Sequence, residues 1–288
     1  MKITRRDFLK TTALTSLYFA GFGGTTYANA GTKKNLVIIM LRGGMDGLCA
    51  IPVKGDKNFE KLRSKINLDR TLKLTSDFDL HPALKTFKNL WDQNQSAAVH
   101  ATNIPYTGRS HFDGQNLMES GGKIPYQEKT GWLGRGMKIA GLTGNGLALA
   151  LPMPLLIRGV PMNNNYFPVG HKLPYPSTLK MIQEVYKEYD EKLLSENLEI
   201  IQTRELSNTS TDSSWVLASN AANELSKADG PRVAVFEVDG FDTHAAQGAT
   251  NGAHADCLSD YDNIVKSLKS SMSKEAFDNT LILTLTEF

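Results

Sequence analysis

Continuous apolar runs predict strands at several points along the chain. The run NLVIIML at Asn35–Leu41 is rich in branched residues, which is typical of a strand buried on both faces. Similar runs predict strands at 96–101 (SAAVHA), 231–238 (PRVAVFEV) and 279–286 (NTLILTLT). One or two further short strands, interrupted by Pro152 and Pro154, are expected within 147–157.

Helical spacing of apolar residues predicts helices between these strands. In the segment 81–91, Leu84, Phe87 and Leu90 fall on one face together with Trp91. Further helices are expected at 110–119, with Ser110 near the cap, and at 179–204, 214–227 and 253–272. Alternating strands and helices indicate an α/β fold with a mostly parallel sheet flanked by helices. The Gly- and Pro-rich segment 121–165 is expected to form loops over one end of the sheet.

The first 30 residues have the features of an export signal. The sequence TRRDFLK, with Arg5 and Arg6 as its arginine pair, matches the twin-arginine consensus. A short apolar run at 13–22 and the small residues of Ala28-Asn29-Ala30 follow it. We expect residues 1–30 to be a signal peptide and residues 31–288 to be a single α/β domain. The expected partners are the twin-arginine translocase and signal peptidase, and the expected location is the periplasm. An uncleaved signal that acts as an anchor is the alternative.

Bulk composition excludes some classes of function. The 32 Lys and Arg residues nearly balance the 30 Asp and Glu residues, so no nucleic-acid surface is indicated. No stretch after the leader is apolar enough to cross a membrane. An oxidising compartment permits a bond between Cys49 and Cys257, but two buried thiols are the expected state.

Polar motifs stand where the predicted strands end. RGGMDG begins at Arg42, RSHFD at Arg109 and DGFDTH at Asp239, and Glu287 ends the last run. Ligands of parallel α/β sheets bind beyond the carboxyl ends of the strands, so these motifs are expected to converge on one edge.

Several of these residues also have a purely structural interpretation. The glycines after Arg42 can form a tight turn with Asp46 as the cap of the next helix. Ser110 can be a helix cap instead of a nucleophile, and Arg109 a surface charge instead of an anion-binding group. His111 can be satisfied by local backbone hydrogen bonds, and the role of Glu287 is open.

The group Asp239, Asp242 and His244 is less ordinary. Two carboxylates and an imidazole within six residues of a buried strand favour metal or acid–base chemistry. His81, His100 and His254 are expected to be structural histidines with hydrogen-bond partners.

Taken in order, the leader and several motifs resemble the bacterial family called domain of unknown function 1501. These motifs are LVIIMLRGGMDGL, DFDLHPAL, AVHATNIPYTGRSHFDGQ, TGWLGR, GFDTHAAQG and TLILTLTEF. That family is longer, so the resemblance implies that this chain lacks a C-terminal portion. The family is itself similar to the alkaline phosphatase and sulfatase superfamily, which implies an alkaline-phosphatase-like fold and a metal-bound site.

The resemblance implies roles for individual residues. Asp46 matches the first metal aspartate in position, and Ser110 lies where a nucleophilic hydroxyl begins a helix. Asp239 or Asp242 with His244 resembles the Asp-to-His metal pair, and Glu287 stands in the place of another metal ligand. The segment Cys49-Ala50-Ile51-Pro52 does not fit the sulfatase motif, so a formylglycine mechanism is not expected.

Together these features predict a metal-dependent hydrolase of phosphate or sulfate esters. A divalent ion (zinc, calcium or magnesium) would be held by Asp46, Asp239, Asp242, His244 and Glu287. Ser110 or a water would attack the ester, with Arg109 and His111 at the same site. The alternative is a non-catalytic binding or assembly protein on the same fold, acting on surface polysaccharide or an exported partner.

Replacing Arg5 and Arg6 together by Lys should leave the precursor in the cytoplasm. The translocase recognises the arginine pair and not charge alone, so the conservative change should block export. The measurement is the periplasmic yield with the general secretion route blocked. A normal yield from the variant would contradict the twin-arginine assignment.

Overall fold

The computed structural model describes residues 34–66, 68–149, 153–160, 163–165, 213–228 and 230–288, together with 177, 180–182 and 184. The predicted signal peptide and most of the predicted helix at 179–204 lie outside the described residues. The chain divides into two compact units, Met1–Tyr166 with Ser214–Phe288, and Phe167–Ser213. In the second unit, the described residues 177, 180–182 and 184 are helical.

A parallel sheet forms the centre of the larger unit. Its strands are β1 (Asn35–Leu41), β4 (Gly146–Leu149), β5 (Asn164–Asn165), β6 (Val233–Val238) and β7 (Thr280–Thr286), in the order β5-β4-β6-β1-β7. Leu36 of β1 pairs with Val233 on one side and Leu281 on the other, and every pairing in this sheet is parallel. A separate antiparallel pair consists of β2 (Leu72–Lys73) and β3 (Asp79–Leu80). The predicted α/β fold with a mostly parallel sheet is confirmed.

Helices surround this sheet. They are α1 (Gly47–Ala50), α2 (Lys57–Leu62), α3 (Lys85–Asp92), α4 (His111–Ser120), α5 (Trp132–Ile139), α6 (Ser214–Ser226), α7 (Ala253–Ser271) and α8 (Lys274–Asp278), with a 3-10 turn at Leu155–Ile157. The predicted helices at 110–119, 214–227 and 253–272 are confirmed to within about two residues. The helix predicted at 81–91 begins later, at Lys85, after the turn that contains Pro82.

Side-chain alternation along β1 divides the core into two layers. Val37, Ile39 and Leu41 pack with buried residues of α3, α6 and α7. Ile38 and Met40 point the other way and pack with residues of α4, α5 and the 3-10 turn. Successive strand residues face opposite sides, so a strand covered on both sides requires an uninterrupted apolar run. This requirement explains the sequence NLVIIML.

One sequence prediction about the sheet is wrong, and a second is incomplete. The segment 96–101 is not a strand, and Val99 within it is 68% exposed. The positions beside β1 and β6 are taken by other strands, because β7 pairs with β1 and β4 pairs with β6. The segment 121–165, expected to form loops, also supplies the unpredicted helix α5 and the inner strand β4, which overlaps the short strand predicted within 147–157.

Both cysteines are free thiols; Cys49 is buried as expected, whereas Cys257 is only half-buried. Burial raises the pKa of the Cys49 thiol to about 11. Within the described part of the chain, no helix has both the length and the apolarity to cross a membrane.

The edge strand β7 exposes apolar side chains. Leu281 and Leu283 are 41% and 38% exposed, whereas Ile282 packs against the core. The strand contains no charged residue or proline, the features that usually protect an edge from pairing with another chain.

We therefore expect residues 31–288 to associate through β7, and the double change Leu281→Lys with Leu283→Lys to reduce that association. Lysine at an edge opposes strand pairing by charge repulsion. Light scattering coupled to size-exclusion chromatography would measure the associated fraction. The matched control is Leu62→Lys with Ile139→Lys, two exposed apolar residues on helices. Equal association of both double variants would contradict a role for the strand edge.

Candidate functional site

The carboxyl ends of β1, β6 and β7 border a polar cleft of about 510 Å³. Three segments supply most of its walls: Gly43 and Gly44 after β1, 241–244 with Gln247 after β6, and Phe288 after β7. Gly108, Arg109 and His111, at the start of α4, complete the lining. The structure thus brings together parts of all the motifs that follow the confirmed strands.

Glu287 lies beneath this cleft and is completely buried. Its Oε1 accepts hydrogen bonds from Gly43 N at 2.7 Å and from Gln115 Nε2 at 3.2 Å. The same oxygen lies 3.0 Å from His111 Nδ1. A carboxylate only accepts hydrogen bonds, so the contact requires the proton to be on Nδ1 of His111.

The other nitrogen of His111 faces Asp242. His111 Nε2 is 3.5 Å from Asp242 Oδ1, and His244 Nε2 is 3.0 Å from Asp242 Oδ2. The His244 side chain is 83% exposed, and its backbone has a φ of 49°, in the left-handed region. Glu287, His111, Asp242 and His244 therefore form a continuous series of polar contacts from the protein interior to the cleft.

Two glycines allow these segments to approach one another. A Cβ on Gly43 would lie 2.3 Å from the backbone nitrogen of Asp242, and the φ of Gly43 is 109°. A Cβ on Gly44 would lie 2.9 Å from the Phe288 ring and 3.2 Å from Cε1 of His111. The glycines of the RGGMDG motif are thus explained by close packing around the site as well as by turn formation.

A partly buried ion cluster lies next to Glu287. The Arg42 guanidinium contacts Glu237 and donates to Glu119 Oε1 at 2.9 Å and to Gln115 Oε1 at 3.1 Å. Burial opposes the charge of Arg42, but the two glutamates more than offset this and raise the pKa of the guanidinium. Gln115 joins this cluster to Glu287.

Asp46 does not line the cleft. Its side chain caps α1 through Cys49 N, at 3.1 Å, and forms an ion pair with Arg63. Gln247 Nε2 donates to the same carboxylate at 2.9 Å. Burial by itself would raise the pKa of the Asp46 carboxyl. The hydrogen bonds from Arg63 and Gln247 outweigh burial and hold that pKa below its ordinary value. The structural interpretation, a helix cap, accounts for these contacts, with Arg63 as an unforeseen partner.

Three other predicted residues differ in their placement. Ser110 is the N-cap of α4, and its Oγ accepts from Asp113 N at 3.2 Å. Arg109 is exposed and lines the cleft. Asp239 is exposed and lies outside the cleft lining. Among the described residues, no group of three or more His, Cys, Asp or Glu side chains is arranged to hold a metal ion.

Sequence reasoning missed Arg42, Gln115, Gln247 and Phe288. Gln115 had a usable signal, because it lies four residues after His111 and therefore on the same face of the predicted helix. Gln247 belongs to the motif after β6, but its contact with Asp46 spans 201 residues of sequence.

Two buried histidines lie beside the loop that follows β6. His81 accepts from Ala83 N at 3.1 Å and donates through Nε2 to Ala249 O at 2.9 Å, as expected of a structural histidine. His254 differs from expectation: it is 1% exposed, and neither ring nitrogen has a hydrogen-bond partner among the residues that the structure describes. Its ring packs edge-on against Phe241, with centroids 5.5 Å apart.

Comparison with known families and proteins gives no identification. No protein family, curated protein or solved structure matches this chain. The resemblance to domain of unknown function 1501 therefore stays a prediction, and the site has to be interpreted from its own chemistry.

We expect His254 to make the protein less stable in mild acid. Burial lowers the pKa of its imidazole from 6.5 to about 4, and burial also lowers the pKa of His81. Between pH 6.5 and about pH 4, His254 binds a proton in the unfolded chain but not in the folded chain, so the free energy of unfolding falls as the pH falls. For His254 the loss between about pH 7 and about pH 5 should be roughly 2 kcal/mol.

Chemical denaturation of wild type and His254→Phe at both pH values measures this effect. The variant should show a smaller loss of unfolding free energy on acidification, because phenylalanine does not titrate. His244→Asn, which changes an exposed imidazole, should behave like wild type. An unchanged pH dependence in His254→Phe would contradict the assignment.

Proposed function

We propose that the cleft binds and hydrolyses an anionic ester of the phosphate or sulfate class, in a protein exported to the periplasm. The observation that carries this proposal is the series Glu287–His111–Asp242–His244, which opens into a cleft that also contains Arg109. Titratable groups of this kind, converging in a concave site at the carboxyl edge of a parallel sheet, are typical of a catalytic centre.

His111 is suited to proton transfer. Its Nδ1 is engaged by Glu287, so Nε2 is the nitrogen directed to the cleft. An imidazole held in this way accepts a proton from an attacking water at Nε2 as the new bond to phosphorus or sulfur forms. The proton then passes to the departing ester oxygen, which restores the neutral ring.

Arg109 supplies the charge that an anionic ester requires. The side chain is exposed in the cleft wall, and a guanidinium can bind two non-bridging oxygens at once. His111, the first residue of α4, lines the same cleft, so the amino end of that helix adds a favourable potential for an anion.

A divalent ion in this cleft would take its donors from Asp242, His111 and His244, which contact one another, although among the described residues they are not arranged as a three-ligand group. Asp242 with the imidazoles of His111 and His244 gives one carboxylate and two nitrogen donors, a set that suits zinc better than magnesium or calcium, which prefer oxygen. The exposed side chain of His244 is free to adjust. When bound to His111 Nε2, such an ion would polarise the ester and acidify the attacking water, and His111 would then act as its ligand instead of as the base. Asp46 and Asp239 are not part of this donor set.

Water is a better candidate nucleophile than Ser110. The Ser110 hydroxyl oxygen already accepts from Asp113 N, and the residue is outside the cleft lining. Hydrolysis by direct attack of water needs no covalent intermediate, and His111 provides the base that it requires.

A non-catalytic binding protein for anionic polysaccharide is the second candidate. It is favoured by the engagement of Asp46 with Arg63 and by the lack, among the described residues, of a ready group of three metal-binding side chains. The same cleft would then bind a sulfated or phosphorylated sugar through Arg109 without turnover.

His111→Asn should lower kcat for p-nitrophenyl phosphate or sulfate at least about 100-fold, because the acid–base group is lost. Arg109→Gln should act mainly on KM, by weakening binding of the anion. The assay uses the full chain, before and after a chelator and with zinc restored. The chelator should abolish turnover and zinc should restore it.

The matched controls are His100→Asn and Arg158→Gln, which change the same residue types outside the cleft. Both should retain wild-type rates. Equal activity of His111→Asn and wild type would refute the catalytic role. No turnover combined with Arg109-dependent binding of a sulfated polysaccharide would favour the second candidate.

A further inference from the structure

We propose that Glu287 is a positioning residue for His111 and not a metal ligand, with Gln115 as its oriented partner. The inference rests on the proposed function for the part that His111 plays in the cleft. Its geometric basis is independent of which ester or ion the cleft binds.

Burial separates Glu287 from any ligand in the cleft. The residue is 0% exposed and is not among the residues that line the cavity. The next residue, Phe288, does line it, and its ring lies 4.9 Å from the His111 ring and stacks on Tyr106 at 6.3 Å. The side chain that reaches the cleft from the end of β7 is therefore aromatic, and the carboxylate acts from behind it.

The hydrogen bonds of Glu287 are concentrated on the oxygen that contacts His111. Oε1 contacts Gly43 N, His111 Nδ1 and Gln115 Nε2, at 2.7, 3.0 and 3.2 Å. Oε2 accepts from the hydroxyl of the adjacent Thr286 at 3.4 Å. Three N–H groups of the protein are thus directed at this one oxygen.

Gln115 is oriented by charge. An amide can present oxygen or nitrogen to a neighbour, but Arg42 Nη1 donates to Gln115 Oε1 at 3.1 Å. The Nε2 group must therefore face Glu287, where it donates to Oε1. Arg42 thus determines which way Gln115 points, and Gln115 in turn helps to fix the carboxylate that contacts His111.

The backbone of α4 is adapted to this contact. Gly114 lies between His111 and Gln115, and a Cβ there would be 3.1 Å from the Phe288 ring and 3.4 Å from Glu287 Cβ. A larger residue would push the helix away from the end of β7. The small residue lets the His111 and Gln115 side chains both reach the same carboxylate oxygen.

The consequence for His111 is a fixed tautomer. With the proton held on Nδ1, the Nε2 lone pair is available to the cleft for a proton or an ion, as in histidines that a buried carboxylate orients at metal sites. If Glu287 only tied the β1 and β7 ends together, the tautomer of His111 would not depend on its charge.

Long-range proton–nitrogen NMR of histidine-labelled full chain tests this directly. In mildly alkaline buffer the His111 signal of the wild type should be that of the Nδ1–H form. His111→Asn identifies the signal by its loss. Glu287→Gln should shift the population towards Nε2–H, which can donate to Asp242 instead.

The matched control is Asp262→Asn. Asp262 is also a buried carboxylate, but it accepts from Thr86 N and Phe87 N, remote in sequence from His111, and its loss should leave the tautomer unchanged. A wild-type signal of the Nε2–H form would overturn the inference, even if Glu287→Gln does not fold. An identical tautomer in wild type and folded Glu287→Gln would overturn it as well.

Zinc titration by calorimetry separates this inference from the proposed function. Glu287→Gln should weaken zinc binding about 10–100-fold, whereas Asp262→Asn should change it by no more than about twofold. Undiminished zinc affinity in folded Glu287→Gln would contradict the positioning role. If the wild type binds no zinc at all, the metal part of the proposed function fails, and the tautomer measurement alone decides the role of Glu287.

Discussion

The carboxylate of Glu287 is buried from water at the point where the ends of β1 and β7 meet the start of α4. An ionised group without water or partners costs several kcal/mol, so its donors have to be supplied by the protein. They come from Gly43, His111 and Gln115, which lie far from Glu287 in sequence. The carboxylate has all its hydrogen-bond donors only when the end of β1, the helix α4 and the end of β7 are in place. This requirement links formation of the cleft to completion of the sheet.

The parallel sheet explains why charge collects at this edge. Its centre is apolar on both faces, so buried polar groups have to be placed where the strands end. Three clusters follow from this: Glu287 with His111, Arg42 with Glu119 and Glu237, and Asp46 with Arg63. The first two clusters are joined by Gln115, which contacts both Arg42 and Glu287.

Rigid and adaptable parts meet in the cleft. His111 is fixed from behind by a fully buried carboxylate, whereas His244 is largely exposed on a loop with left-handed backbone conformations at His244 and Ala246. Asp242 lies between them. One imidazole is therefore held in place before a ligand binds, and the other can change its position when the ligand arrives. Arg109 is exposed in the lining of the same cleft, where its positive charge suits the anionic ester that we propose as the ligand.

The sequence by itself determined the elements whose cause is local. The apolar run of β1, the periodicity of α6 and α7, and the capping of α4 by Ser110 all depend on residues close together in the chain, and the structure has each of them. The apolar pattern did not determine sheet membership, because the runs at 96–101 and in β4 are both short. Which of the two joins the sheet is decided by pairing with β6, and β4 is the one that pairs. The sequence also indicated that motifs after the strands would meet, since parallel strands end at one edge.

Which side chains reach the cleft was decided by tertiary structure. Asp46 is held by Arg63 and by Gln247, 201 residues away, and Glu287 is held by Gly43, 244 residues away, because a buried carboxylate takes whichever donors the packed chain brings within hydrogen-bonding distance.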